Sequence, residues 1–156
     1  MAQLRDVVAY LCKEYPHKQE LSKARIAKMV YLAEFWEAVN EGHRLTDRVW
    51  KFRACGPYLR DIEEMPSNEK CFRVVKGTSV FGDPMELFTV LDDVDFPSLT
   101  QEDMVVLDHV IKEAATKEWE DLCGFVSATI PAVWEPNDAD LDLGAFAKKC
   151  ESRRAH

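Results

Sequence analysis

The sequence predicts an α+β fold, predominantly helical, with several helices packed around a central helix beside a small antiparallel β-sheet. Three observations predict it. A stretch from Ile26 to Val39 is apolar on two adjacent helical faces, as only a helix surrounded by other elements can be. Further segments repeat apolar residues at three- and four-residue steps between cap and breaker signals. Residues 49–54 and 72–91 instead alternate with period two around glycine and proline.

Leu4, Val7, Val8, Leu11 and Cys12 form the stripe of a first helix that Pro16 stops. The second helix begins at Ser22, whose hydroxyl can accept an early backbone N–H, with Leu21 packed on Ile26 as a hydrophobic staple. Ile26, Met29, Val30, Ala33 and Trp36 make one face, Leu32, Phe35 and Val39 the other. Gly42 supplies a left-handed cap. The run Val49-Trp50-Lys51-Phe52-Arg53-Ala54 reads as a half-exposed strand that Cys55-Gly56-Pro57 breaks. Tyr58 to Met65 then has helical spacing up to Pro66.

Phe72–Lys76 and Glu86–Leu91 flank Gly77, Gly82, Asp83 and Pro84, the punctuation of a hairpin; the pattern leaves open whether 79–81 adds a short strand. Thr100 and Asp103 have capping-box spacing, with Leu99 and Met104 as staple. A long helix is expected from there through Leu122, with an irregularity at Gly124. A shorter helix is expected within 125–134, limited by Pro131 and Pro136, and a terminal one over 141–149. No repeat or linker divides the chain, so residues 1–150 read as a single domain and 151–156 as a frayed tail.

Composition narrows the function classes. Twenty Lys and Arg against twenty-eight Asp and Glu give a net charge of −8, which repels phosphate polymers, so nucleic acid is not expected as a main partner. Lys13, Lys18, Lys23, Arg25 and Lys28 still crowd one region, and a DNA-contacting regulator built on them remains an alternative. The chain start lacks the pattern of a signal peptide, and no apolar run is long enough to span a bilayer, so a cytoplasmic protein without membrane contact is expected. Cys12, Cys55, Cys71, Cys123 and Cys150 are odd in number and contain no Cys-x-x-Cys pair; they read as free thiols, mostly buried.

The chemical motifs fail one by one. Cys55 on a turn, with His109 or His43 as base, could make a cysteine-dependent enzyme, yet no local signature of such a site accompanies it. Asp138, Asp140, Asp142 and Gly144 imitate a calcium loop, but the glycine is one place late and Lys149 stands where a bidentate Glu belongs. The four His residues make no zinc spacing. Glu63, Glu64, Glu118, Glu120 and Asp121 read as solvated helix faces. No catalytic residue, metal or cofactor is assigned. Of the four tryptophans, Trp50 and Trp134 stand in the less protected segments and are the ones expected to reach a partner.

Two segments together carry a resemblance: Leu21-Ser22-Lys23-Ala24-Arg25-Ile26-Ala27-Lys28-Met29-Val30-Tyr31-Leu32-Ala33, and Asp47-Arg48-Val49-Trp50-Lys51-Phe52-Arg53-Ala54-Cys55-Gly56-Pro57-Tyr58. They resemble the Panacea domain, also called SocA-like or phage-associated GepA-like. Its lysine-bearing helix corresponds to Lys28-Met29-Val30-Tyr31-Leu32, and its Gly-Pro turn to Gly56-Pro57-Tyr58. The chain departs from the family pattern in carrying Tyr58 where valine is common, and in a longer β-rich stretch over 71–91.

The resemblance implies a mostly helical domain of bacteria, phages and mobile elements. It implies an antitoxin of a toxin–antitoxin pair that neutralises a protein toxin by binding it, or an adaptor that delivers the toxin to a protease, and it brings no catalytic residues. The expected partner-binding residues are Lys28, Tyr31, Trp50, Arg53, Gly56, Pro57 and Tyr58, with Trp50, Arg53 and Tyr58 as walls of a groove. The competing structural reading gives Gly56 an unusual backbone angle and makes Pro57 the first residue of the next helix, and makes Lys28 and Tyr31 a buried polar anchor.

Overall fold

The computed structural model describes residues 1–54, 56–134 and 140–154. Its centre is α2 (Lys23–Glu41), capped by Ser22, whose Oγ accepts the Arg25 N–H, and closed by Gly42 at φ 71°. Ile26, Met29, Val30, Tyr31, Leu32 and Ala33 are all fully buried, so this helix is covered all round near its N-terminal half. It packs against α1 (Leu4–Glu14), α5 (Gln101–Ala115), α6 (Trp119–Ser127) and α8 (Leu143–Arg154). Leu21 is buried with Ile26, as the staple predicts. Val39, which the two-face pattern places inside, is exposed, while Glu37 and Ala38 beside it are buried.

The strands form two small antiparallel sheets. One has the order β2-β1-β5, from β1 (Trp50–Arg53), β2 (Gly56–Tyr58) and β5 (Asp140–Leu141). The other is the hairpin of β3 (Phe72–Thr78) and β4 (Pro84–Val90), turned over Ser79–Asp83 with no strand at its tip. The N–H of Phe88 donates to the Leu21 carbonyl, which fastens the outer side of β4 to the entry of α2.

Four expectations need correction. Pro57 does not open a helix: it lies in β2, buried, opposite Phe52, in a strand that pairs back onto β1 from Gly56, at φ 103° and opposite Arg53. The helical spacing from Tyr58 resolves into two single turns, α3 (Arg60–Glu63) and α4 (Met65–Asn68), and Pro66 starts the second instead of ending the first. The long helix breaks at Thr116–Glu118, not at Gly124, which lies inside α6. The capping box of Thr100 and Asp103 that starts α5 is formed as expected.

The fourth correction concerns the terminal helix, which is expected over 141–149 and runs from Leu143 through Arg154. Phe146, Ala147 and Cys150 anchor it in the core, Arg153 and Arg154 oppose the negative end of its dipole, and Arg154 donates to the Val39 carbonyl. Pro131 sits in the first turn of α7 (Ile130–Val133), the short helix expected in that region.

Candidate partner-binding groove

The Lys-bearing helix and the Gly-Pro hairpin meet. Lys28 projects from α2 beneath the β1–β2 turn, so close that a Cβ on Gly56 would stand 3.6 Å from its Nζ. On its other side the ammonium lies 5.0 Å from the centre of the Trp119 ring, at the start of α6. Lys28 is buried despite its charge, held between a turn, an aromatic face and the helix that carries it.

Above this anchor, Arg53 lays its guanidinium 4.2 Å from the centre of the Tyr58 ring across the β1–β2 hairpin. The Tyr58 hydroxyl donates to Glu63 at 2.7 Å, and Lys23 donates to the other oxygen of the same carboxylate at 2.8 Å. These two donors hold Glu63 ionised, below its usual pKa, while the carboxylate raises that of Tyr58. A shallow groove of about 330 Å³ results, with Ala24, Ala27, Pro57, Leu59 and Ile62 as apolar floor and Lys23, Lys28 and Arg53 around it.

Five of the seven expected residues, Lys28, Arg53, Gly56, Pro57 and Tyr58, therefore line one groove. Tyr31 and Trp50 do not. Both are fully buried beneath it, in edge-to-face contact at 5.8 Å. Thr129 gives its own hydroxyl proton to the Val126 carbonyl and accepts that of Tyr31 at 2.7 Å. Burial keeps the Tyr31 pKa up at about 12. Trp50, expected at the surface, is inside because its ring packs edge-to-face on Tyr31 of α2. The alternation of the sequence shows which side it takes but not which side is wet.

Trp134 is half-buried, stacked on Phe52 at 5.0 Å. Trp119 is the tryptophan that reaches the surface, at 41 % exposure. Trp119, Lys23 and Glu63 are the residues that sequence reading missed. The available signal was the position of Trp119 in the first turn of a helix, next to charged Glu118 and Glu120.

The remaining candidates separate. Of the cations crowding 13–28, Lys13 reaches the Val94 carbonyl, Lys18 the carbonyls of Cys12 and Lys13, and Lys23 Glu63. Arg25 is buried against Tyr15, and Lys28 against Trp119, so the cluster does not form a continuous stripe for phosphates. His109 packs on Trp36 at 4.4 Å, and His43 lies 3.4 Å from Glu37. Cys55 itself, and Asp138 of the acidic loop, lie outside the described residues. Cys12 is buried, which pushes its thiol up to about 12, away from nucleophilic character. Among the described residues no group of three or more His, Cys, Asp or Glu is placed to hold a metal ion, and no helix is long and apolar enough to cross a membrane.

No curated protein and no solved structure matches the chain. A family model does: the antitoxin SocA-like Panacea domain matches residues 26–129, which takes in most of α2 and of the groove, the hairpin arm and α5–α6. Since that match covers well over half of the sequence, including all seven residues singled out in it, the chain belongs to the antitoxin SocA-like Panacea family.

Proposed function

We propose that the chain is a protein-binding antitoxin that neutralises a partner toxin, either by covering it directly or as an adaptor presenting it to a protease. The family match carries this reading. The role proposed is binding, without catalysis or cofactor, in the cytoplasm. The contacts are assigned to the groove, with Arg53, Gly56, Pro57, Tyr58 and Lys28 lining it and Tyr31 and Trp50 holding its floor in place. The apolar floor suits an apolar side chain, Arg53 at the rim suits an acidic neighbour to it, and the aromatic–arginine pair of Tyr58 and Arg53 has the composition of an interface hot spot.

The test is to express the neighbouring reading frame alone and together with this chain. Toxicity alone, rescue on co-expression and a co-purifying complex are expected; no rescue and no complex would count decisively against the proposal. Tyr58→Ala combined with Arg53→Glu should weaken that complex at least tenfold, equivalent to about 1.4 kcal/mol or more, with unfolding unchanged within about 0.5 kcal/mol. The two modes differ in the toxin's half-life: the adaptor mode shortens it only in cells that retain the protease, and direct neutralisation leaves it unchanged.

A further inference from the structure

We propose that the outer edge of β3 is a strand-addition site for an extended, acidic segment of another protein. The surface is separate from the groove, and its test does not depend on the toxin reading.

The hairpin ladder fixes which backbone groups face outward. The Leu91 N–H donates to the Cys71 carbonyl at 2.9 Å, and the Ser79 N–H to the Asp83 carbonyl at 2.8 Å. In an antiparallel pair the bonding direction alternates residue by residue. Odd-numbered residues of β3 therefore bond to β4, and the N–H and C=O groups of Val74, Lys76 and Thr78 point the other way. On β4 the same alternation turns Phe88 outward, where Leu21 takes its N–H. One outer edge of this two-stranded sheet is thus fastened to the body. Among the described residues, no strand pairs with the other.

The side chains of β3 beyond the buried Phe72 are largely left to solvent as well. Val74 and Val75 are 42 % and 43 % exposed, and at the tip Val80 and Phe81 are 95 % and 86 % exposed. An exposed edge of this kind pairs readily with another extended chain.

Charge selects the occupant. β3 carries Arg73 and Lys76 and no acidic residue, in a chain of net charge −8. Arg73 donates to the carbonyls of Lys70 at 2.8 Å and Phe72 at 3.0 Å. Since Phe72 is an outward-facing residue, its carbonyl holds that guanidinium on the free edge. Across the hairpin Arg73 faces the neutral Thr89, and only Lys76 faces an acid, Glu86. A second copy of β3 would set the same cations against each other. An acidic strand would complete main-chain hydrogen bonds and pair with both, since opposite charges on neighbouring strands are favourable and like charges are not.

The experiment uses the full chain, isotope-labelled, with the peptide acetyl-Glu-Val-Glu-Val-Glu-Val-Glu-amide as probe and the same peptide with Lys for Glu as control. Amide exchange at Val74, Lys76 and Thr78 should slow at least tenfold with the acidic probe and stay unchanged with the basic one. Val74→Pro removes an outward N–H that the ladder does not use, so it should abolish the protection and leave the circular dichroism spectrum intact. If that variant fails to fold, Arg73→Glu with Lys76→Glu decides, because it should reverse the preference between the two peptides. No protection, equal protection by both peptides, an unreversed preference, or protection appearing instead from self-association or from added duplex DNA would each overturn the proposal.

Discussion

Replacing Glu37 by Gln should make the protein more stable, and increasingly so as the pH rises. Glu37 lies on α2 with no exposed surface, and neither of its carboxyl oxygens finds a donor among the described residues. Around it stand Asp103 from α5, Glu34 and Glu41 from its own helix, and His43, whose Nδ1 is 3.4 Å away. Burial, followed by the hydrogen bond and negative charge of Asp103, raises its pKa from 4.5 to about 9. Asp103 accepts the Thr100 N–H in the capping box, and Glu37, buried beside it, is the carboxyl that stays protonated at neutral pH.

The sign follows from proton counting. The folded state keeps a proton on Glu37 that the unfolded state releases above pH 4.5, so the contribution to stability is complete below that pH and is lost progressively up to about 9. At 1.36 kcal/mol per unit, the loss between pH 5 and pH 8 is roughly 4 kcal/mol for this one group. A Gln amide has the same shape, can donate to Asp103, and holds no proton to lose. Urea unfolding of both proteins at pH 5 and pH 8, followed by tryptophan fluorescence, should show the Glu37→Gln advantage growing by roughly 4 kcal/mol over that interval. Parallel pH dependences would refute the reasoning, and so would a variant less stable at both values. Glu34, raised to about 7 by burial despite its bonds to Thr46, contributes a similar slope that both proteins share.

Local signals were legible where one residue type solves one local problem. The Ser22 cap, the Thr100–Asp103 box and the Gly42 terminus each satisfy backbone groups within three or four residues, so the structure repeats what the sequence states. The centrality of α2 was legible for a related reason, since two adjacent apolar faces must both be covered. What was hidden depends on distant pieces. Pro57 suits a helix start and a β-hairpin edge equally well, and the choice is made by Phe52 and Lys28, residues brought to it by the fold.

The same division explains the site. The resemblance singled out Lys28 and the Gly-Pro turn, and the two do meet. Exposure was not legible: Trp50 and Trp119 both sit beside charged neighbours in sequence, yet one is sealed beneath α2 and the other rests its face over the Lys28 ammonium at the surface. Nor was the burial of Glu37 and Asp103 legible, because it is created by packing α2 on α5 and capping α5 at the same point.

Two further substitutions test the packing of α2. At Gly42 a Cβ would stand 2.9 Å from the Glu151 Cα in α8, at a φ of +71° that L-residues avoid, so Gly42→Ala should cost about 2–3 kcal/mol in thermal or urea unfolding. Gly82→Ala, with similar φ but nothing within 4 Å, should cost only about 1 kcal/mol; equal effects would show that the contact with α8 carries no weight. Arg25 is the harder case, because a buried cation replaced by an apolar residue can be neutral when its whole network goes with it. Here only the donor goes. The guanidinium gives hydrogen bonds to Tyr15, to the Ala114 carbonyl at the end of α5 and to the Lys117 carbonyl before α6, and Arg25→Met leaves those acceptors in place. A loss of about 2–4 kcal/mol is therefore expected. It should come with faster amide exchange across 114–118, where α5 hands over to α6. A variant as stable as the parent, with exchange there unchanged, would mean that packing alone holds this junction.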